Sequence, residues 1–144
     1  MDMEGACLHQ TRLLGKRILV VEDEAIVAMA IEDGLFNEGA RIMGPVSSVD
    51  EALQLIEAAD GGLSAAVLDL NLNGASVLPV ANRLAGLGVP FLFATGYSVG
   101  CDTGGHTTAP VLHKPFGPQA LIVAVEALAS VGPLGWRYYG LAVT

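Results

Sequence analysis

Ile18-Leu19-Val20-Val21-Glu22-Asp23-Glu24 is the stretch on which the reading of this chain turns. Four consecutive apolar residues do not alternate between core and solvent, so they describe a strand buried on both faces, as in a parallel sheet. An acidic triplet then ends the strand. The same pattern recurs downstream: Ala65-Ala66-Val67-Leu68 runs into Asp69, Phe91-Leu92-Phe93-Ala94 into Thr95, and Val111-Leu112 into His113-Lys114. Arg41 to Val46 is the fifth strand candidate. Helix-period segments lie between them: Ala25 to Glu38 with Val27, Ile31 and Leu35, and Ser48 to Ala58 behind a serine cap with Leu53 and Ile56 inward. Ala75 to Leu87 and Gly117 to Val131 follow the same rule. Repeated β-α units with right-handed crossovers predict an α/β fold, a doubly wound five-stranded parallel sheet of order 2-1-3-4-5.

One segment breaks the alternation. Gly96 to Pro110 holds four glycines and no apolar periodicity, so the fourth helix should be short or irregular. Three parts are expected: an extension over 1–14, a folded domain over 15–131, and a tail over 132–144 carrying Trp136, Tyr138 and Tyr139.

Charge narrows the function. The net charge is -8, and Glu22 to Asp69 alone contains eleven acids and one base, Arg41. Phosphate contacts need Lys and Arg, so no DNA partner is expected; cations and basic protein surfaces suit the chain better. A hydrophobic content of 52% excludes disorder. Uninterrupted apolar runs such as Ala120 to Val125 are too short to span a membrane, and the N-terminus lacks an apolar secretory segment. Cys7 and Cys101 make neither a disulfide framework nor a zinc site. A cytoplasmic domain is expected.

In an open parallel sheet, ligands bind beyond the carboxyl ends of the strands, beside the point where strand order reverses. Glu22-Asp23-Glu24, Asp69, Thr95 and Lys114 all fall at such ends. Adjacent strands bring Asp23 and Asp69 within reach of one cation, and a hard divalent metal relieves the repulsion between crowded carboxylates. A hydroxyl and an ammonium flank the same point and suit phosphoryl oxygens. Taken singly, an acidic triplet is a solvated helix start, a lone Asp a cap, and Thr-Gly a turn; their succession along one edge is what carries the argument.

ILVVEDE, VLDLNLNG, FLFATG and HKPF, in this order from about Lys16 to Ser130, resemble the receiver domain of two-component response regulators. That resemblance implies that Asp69 is the phosphoacceptor, Asp23 a direct Mg²⁺ ligand, and Glu22 a ligand through water. It implies the Asn71 backbone carbonyl as a further ligand, Thr95 and Lys114 as phosphoryl-binding groups, and a cis bond before Pro115. The partners it implies are a histidine kinase or histidine phosphotransferase. More narrowly, Pro90 to Tyr97 resembles the PF-x-FATGY motif of stand-alone alphaproteobacterial receivers linked to HWE-class kinases. Two features depart from the usual pattern: Leu72-Asn73-Gly74 replaces M-P-x-x-G, and Val111 stands where an aromatic switch residue is usual.

A signalling protein acting through protein contacts is therefore the leading reading. The rivals are a Mg²⁺-dependent aspartyl phosphatase and a phosphate-independent adaptor. The first needs a second carboxylate two residues after the nucleophile, where this chain has Asn71. Four further expectations follow. Gly96 to Pro110 should act as a mobile lid. The last helix should leave Ile122 and Val123 outward for a partner or dimer mate. Tyr97 could fold over the site. His9 and His106 should face solvent, and His113 should be a structural strand residue.

Overall fold

A computed structural model describes the backbone of residues 12–96 and 102–143, with side chains as far as Ser130. Strands β1 (Arg17–Val21), β2 (Arg41–Val46), β3 (Ala65–Asp69), β6 (Phe91–Thr95) and β7 (Val111–His113) form one parallel sheet in the order β2-β1-β3-β6-β7. A separate two-stranded ribbon, β4 (Asn71–Leu72) with β5 (Ala75–Ser76), interrupts the numbering. With it set aside, the five sheet strands run 2-1-3-4-5, as expected. The helices are α1 (Ala25–Asn37), α2 (Val49–Ala59), α3 (Leu78–Leu87) and α4 (Pro118–Val143).

Every residue of β3 and β6 is buried, as is β1 from Ile18 onward, whereas the edge strands β2 and β7 are half-buried or exposed. Continuous apolar runs thus mark the centre of the sheet, where both faces are covered. On one face Ile31 and Leu35 of α1 pack with Leu121, Ile122 and Val125 of α4. On the other, Ala52 and Ile56 of α2 pack with Val80, Ala81 and Leu84 of α3. Leu13, ahead of β1, is fully buried in the first cluster. Helix α2 starts on a reciprocal cap: Glu51 N–H donates to Ser48 Oγ at 3.2 Å, and Ser47 N–H donates back to Glu51 Oε1 at 3.3 Å.

Local chemistry explains three differences from the expected elements. Helix α3 begins at Leu78 and not Ala75, because Asn73-Gly74 makes a tight two-residue turn. Both residues have positive φ, 54° and 91°, the requirement of a type I′ hairpin turn, which pairs Leu72 with Ala75. Helix α4 continues past Val131 to Val143, through Gly132-Pro133; a proline inside a helix removes one backbone hydrogen bond without always ending it. On α4, Ile122 is only 3% exposed, so only Val123 of the expected outward pair faces solvent. Three large exposed apolar residues, Ile26, Met29 and Phe36, are on α1.

Among the described residues 102–110 there is no helix, but a run of turns. Two of these residues pack against the core. Ala109 is buried in the α2–α3 cluster. His106, expected in solvent, is half-buried with its ring against Phe91 and Phe93. No described helix is long and apolar enough to cross a membrane. The side chains of Trp136, Tyr138 and Tyr139 lie outside the described residues, as do His9, Tyr97, Cys7 and Cys101.

Candidate functional site at the carboxyl edge of the sheet

Pairing register assembles the site. Val21 pairs with Leu68, so Glu22 leaves β1 beside Asp69, the last residue of β3. Asp69 in turn pairs with Ala94, which places Thr95 one step further along the edge. Lys114 leaves β7 held by its own backbone, its N–H donating to Thr95 O at 2.7 Å. The Lys114–Pro115 bond is cis, as the resemblance implied. Glu22, Asp69 and Thr95 are buried polar side chains, a costly placement unless each finds partners.

Lys114 supplies most of that compensation. Its Nζ lies 2.9 Å from Glu24 Oε1, 3.0 Å from Glu22 and 3.3 Å from Asp69 Oδ2. Burial alone would lower the Lys114 ammonium, but its bonds to Glu24 and Glu22 and the charge of Asp69 outweigh this and hold it above its usual value. Asp69 moves the other way. Burial, then contact with Glu22 and Asp23, pushes its carboxyl up to about 7, partly opposed by Asn71 N–H donating to Oδ1 at 3.2 Å.

Asp23 stands at the rim, its Oδ2 accepting from Asn73 N–H at 2.8 Å. Burial raises its pKa, but bonding with Asp69 and with the Asn73 N–H outweighs this and holds it below the usual value. The side chain of Asn71 faces its own turn, where Oδ1 accepts from Gly74 N–H at 2.6 Å. Ligand oxygens of Glu22, Glu24 and Asp69 lie within 4.8 Å of one another, a grouping able to hold a metal ion. Glu24 was not singled out as a ligand from the sequence; its place at the end of the acidic triplet was the available signal. Buried Glu22 Oε1 accepts no hydrogen bond and is answered only by the charge of the Lys114 ammonium, 3.0 Å away. All the donors are oxygens, as a hard divalent ion requires.

Several known proteins are similar to this chain. No family model matches the chain. A crystal structure of a response regulator receiver protein from Sinorhizobium medicae has a TM-score of 0.71 at 23% identity, covering 81% of this chain and 95% of that one. The transcriptional regulatory protein PdtaR of Mycobacterium tuberculosis is 27% identical over 135 residues, which is 89% of this chain but 63% of PdtaR. This chain therefore spans under two thirds of that relative's length. The receiver SdrG from Sphingomonas melonis Fr1 is 43% identical with a TM-score of 0.67, and the match covers 78% of this chain and 95% of SdrG. The chain belongs to the response regulator receiver family.

In this receiver the cluster at the sheet edge combines a buried carboxylate, a lysine paired with three acids, and a buried hydroxyl. Asp69 is the deepest acid reached by Lys114 after Glu22 and sits between β1 and β6. The site opens onto a groove of about 550 Å³ that runs from Glu24 and Lys114 along Ile26, Val27, Phe116 and Leu121. At the aromatic switch position, Val111 is partly buried against the α2–α3 cluster.

Proposed function

We propose that this receiver accepts a phosphoryl group on Asp69 from a phosphohistidine of a histidine kinase or histidine phosphotransferase, and signals through protein contacts. The observation that carries this reading is the Lys114 ammonium 3.3 Å from Oδ2 of a buried aspartate at the end of β3.

An Asp69 oxygen attacks phosphorus as the bond from phosphorus to the histidine nitrogen breaks. The electron pair of that bond leaves on the imidazole, and an acyl phosphate forms. Glu22, Asp23, Asp69 and the Asn71 carbonyl are the proposed Mg²⁺ ligands, with Glu24 near enough to join them. Bound Mg²⁺ supplies positive charge that offsets crowding among the acids and on the phosphoryl oxygens. Lys114 would exchange its pairs with Glu22 and Glu24 for a phosphoryl oxygen on Asp69. Thr95 Oγ provides a second polar contact. The resting ion pairs of Lys114 thus hold its charge ready beside the acceptor. The rival phosphatase reading finds no proton-transfer group at Asn71, whose side-chain oxygen is engaged by Gly74.

Ile26 is 83% exposed and lines the groove beside Glu24 and Lys114, so a protein carrying the phosphohistidine must cover it to reach Asp69. Incubation with a phosphorylated histidine phosphotransferase and Mg²⁺ should move label onto this chain, and EDTA should prevent it. Ile26→Glu should slow this transfer at least tenfold while labelling by acetyl phosphate stays within twofold. Equal slowing with both donors would place the fault in the site and not in docking. Failure of every phosphohistidine donor to label a chain that acetyl phosphate does label would contradict the proposed donor class.

A further inference from the structure

Residues 102–110 lie against the α2–α3 face of the sheet, where β-α alternation would otherwise put a helix. They form a strap wound on itself. Gly104 N–H donates to Asp102 Oδ1 at 2.9 Å, His106 N–H to Thr103 O at 3.0 Å, and Ala109 N–H to His106 O at 3.3 Å. Gly104 sits at φ 61° so close to α3 that a Cβ there would lie 2.9 Å from Leu78 Cδ1. The His106 ring stands edge-on to Phe91, with centroids 5.2 Å apart at 82°, and 6.4 Å from Phe93. Its Nε2 is 2.7 Å from Asn82 Oδ1 on α3, so the tautomer protonated at Nε2 donates there. Burial holds the imidazole below its ordinary pKa, which keeps the docked ring neutral.

Phe91, Phe93 and Thr95 are alternate residues of one strand and therefore share a face. The strap returns to the sheet where Phe93 N–H donates to Pro110 O at 2.9 Å, and four residues later Lys114 N–H meets Thr95 O. Two groups of the site thus flank the strap, one on the strand beneath it and one just beyond its end.

We propose that His106 is a latch: its ring, seated on Phe91 and Phe93 and bonded to Asn82, keeps the strap docked and thereby sets the resting positions of Thr95 and Lys114. The role at the site rests on the phosphoacceptor reading given above; the docking itself does not. Movement of Thr95 or Lys114 toward a phosphoryl group works against the latch, and release of the latch loosens both groups. His106 is accordingly a positioning residue in a chain whose usual aromatic switch position holds Val111.

Amide hydrogen exchange tests the docking in the resting protein. His106→Ala should speed exchange at the amides of His106 and Ala109 at least tenfold, leaving β1 and β3 unchanged. Asn82→Ala and His106→Phe, which each remove the hydrogen bond and spare the ring contact, should give intermediate values. Unchanged exchange at those amides in His106→Ala would overturn the latch. Should His106→Ala not fold, the exposed Asn82→Ala change carries the same comparison.

Acetyl phosphate labelling and loss of label then test the coupling. At least one of the two rates should change threefold or more in His106→Ala and return toward wild type in His106→Phe. Faster exchange with both rates unchanged would overturn the coupling and leave His106 a packing residue. A wild-type chain that takes no label would defeat the phosphoacceptor reading, with the exchange result still deciding the latch.

Discussion

Lys114→Ala should lower the melting temperature of the metal-free protein by about 10 °C. Lys114 Nζ lies within 3.3 Å of three carboxylates, and Glu22 and Asp69 among them are buried. Removing one partner of a buried ion pair leaves the opposite charge uncompensated and costs about 3–5 kcal/mol. In a domain of this size each kcal/mol moves the midpoint by about 2–4 °C or somewhat more. Mg²⁺ should restore part of the loss, because it answers the same charges. The double variant Lys114→Ala/Asp69→Asn should be more stable than Lys114→Ala alone, since one of the stranded carboxylates is gone. Thermal unfolding in EDTA and in Mg²⁺ checks all three. A loss under 3 °C would mean that the acids are not held together by this lysine.

Asp69→Asn should act in the opposite direction. The Asp69 carboxyl is raised from 3.8 to about 7, first by burial and then by Glu22 and Asp23. A carboxyl whose pKa is higher folded than unfolded binds its proton more tightly in the native state. It costs nothing at a pH below both values, and it destabilises progressively as pH rises between them. The gain from Asp69→Asn should therefore be absent near pH 4, grow through pH 5–7, and reach its full size by pH 8. About 1–3 kcal/mol is expected there, discounted for coupling to neighbouring acids, or about 3–8 °C in EDTA. Saturating Mg²⁺ should shrink the difference. A variant less stable than wild type at pH 8 without metal would show that the attraction of Lys114 for Asp69 outweighs burial and the neighbouring acids.

Much of this was legible in the chain because burial at the sheet centre leaves an unambiguous mark. Ile18 to Val21, Ala65 to Leu68 and Phe91 to Ala94 are apolar at every position, and the residues that end them meet at one edge. Less was legible where local turn chemistry overrode periodicity. Asn73-Gly74 is a hairpin signal, yet Ala75 and Ser76 were assigned to the helix that follows. The seat of the strap was illegible for a different reason. That seat depends on one glycine close to Leu78 and one ring against two phenylalanines, and neither contact produces a repeat in sequence. Ile122 was placed outward because the helical stripe was drawn too narrowly: α4 packs against α1 as well as the sheet, so its buried arc is wider. Glu24 escaped notice as a ligand because an exposed acid at a helix start has an ordinary explanation in the helix dipole.

Intact-mass spectrometry after incubation with acetyl phosphate and Mg²⁺ tests the central claim most directly. The wild-type chain should gain one phosphoryl group, fragmentation should place it on Asp69, and Asp69→Asn should gain none. Undiminished labelling of Asp69→Asn would contradict the claim and move the acceptor to another residue.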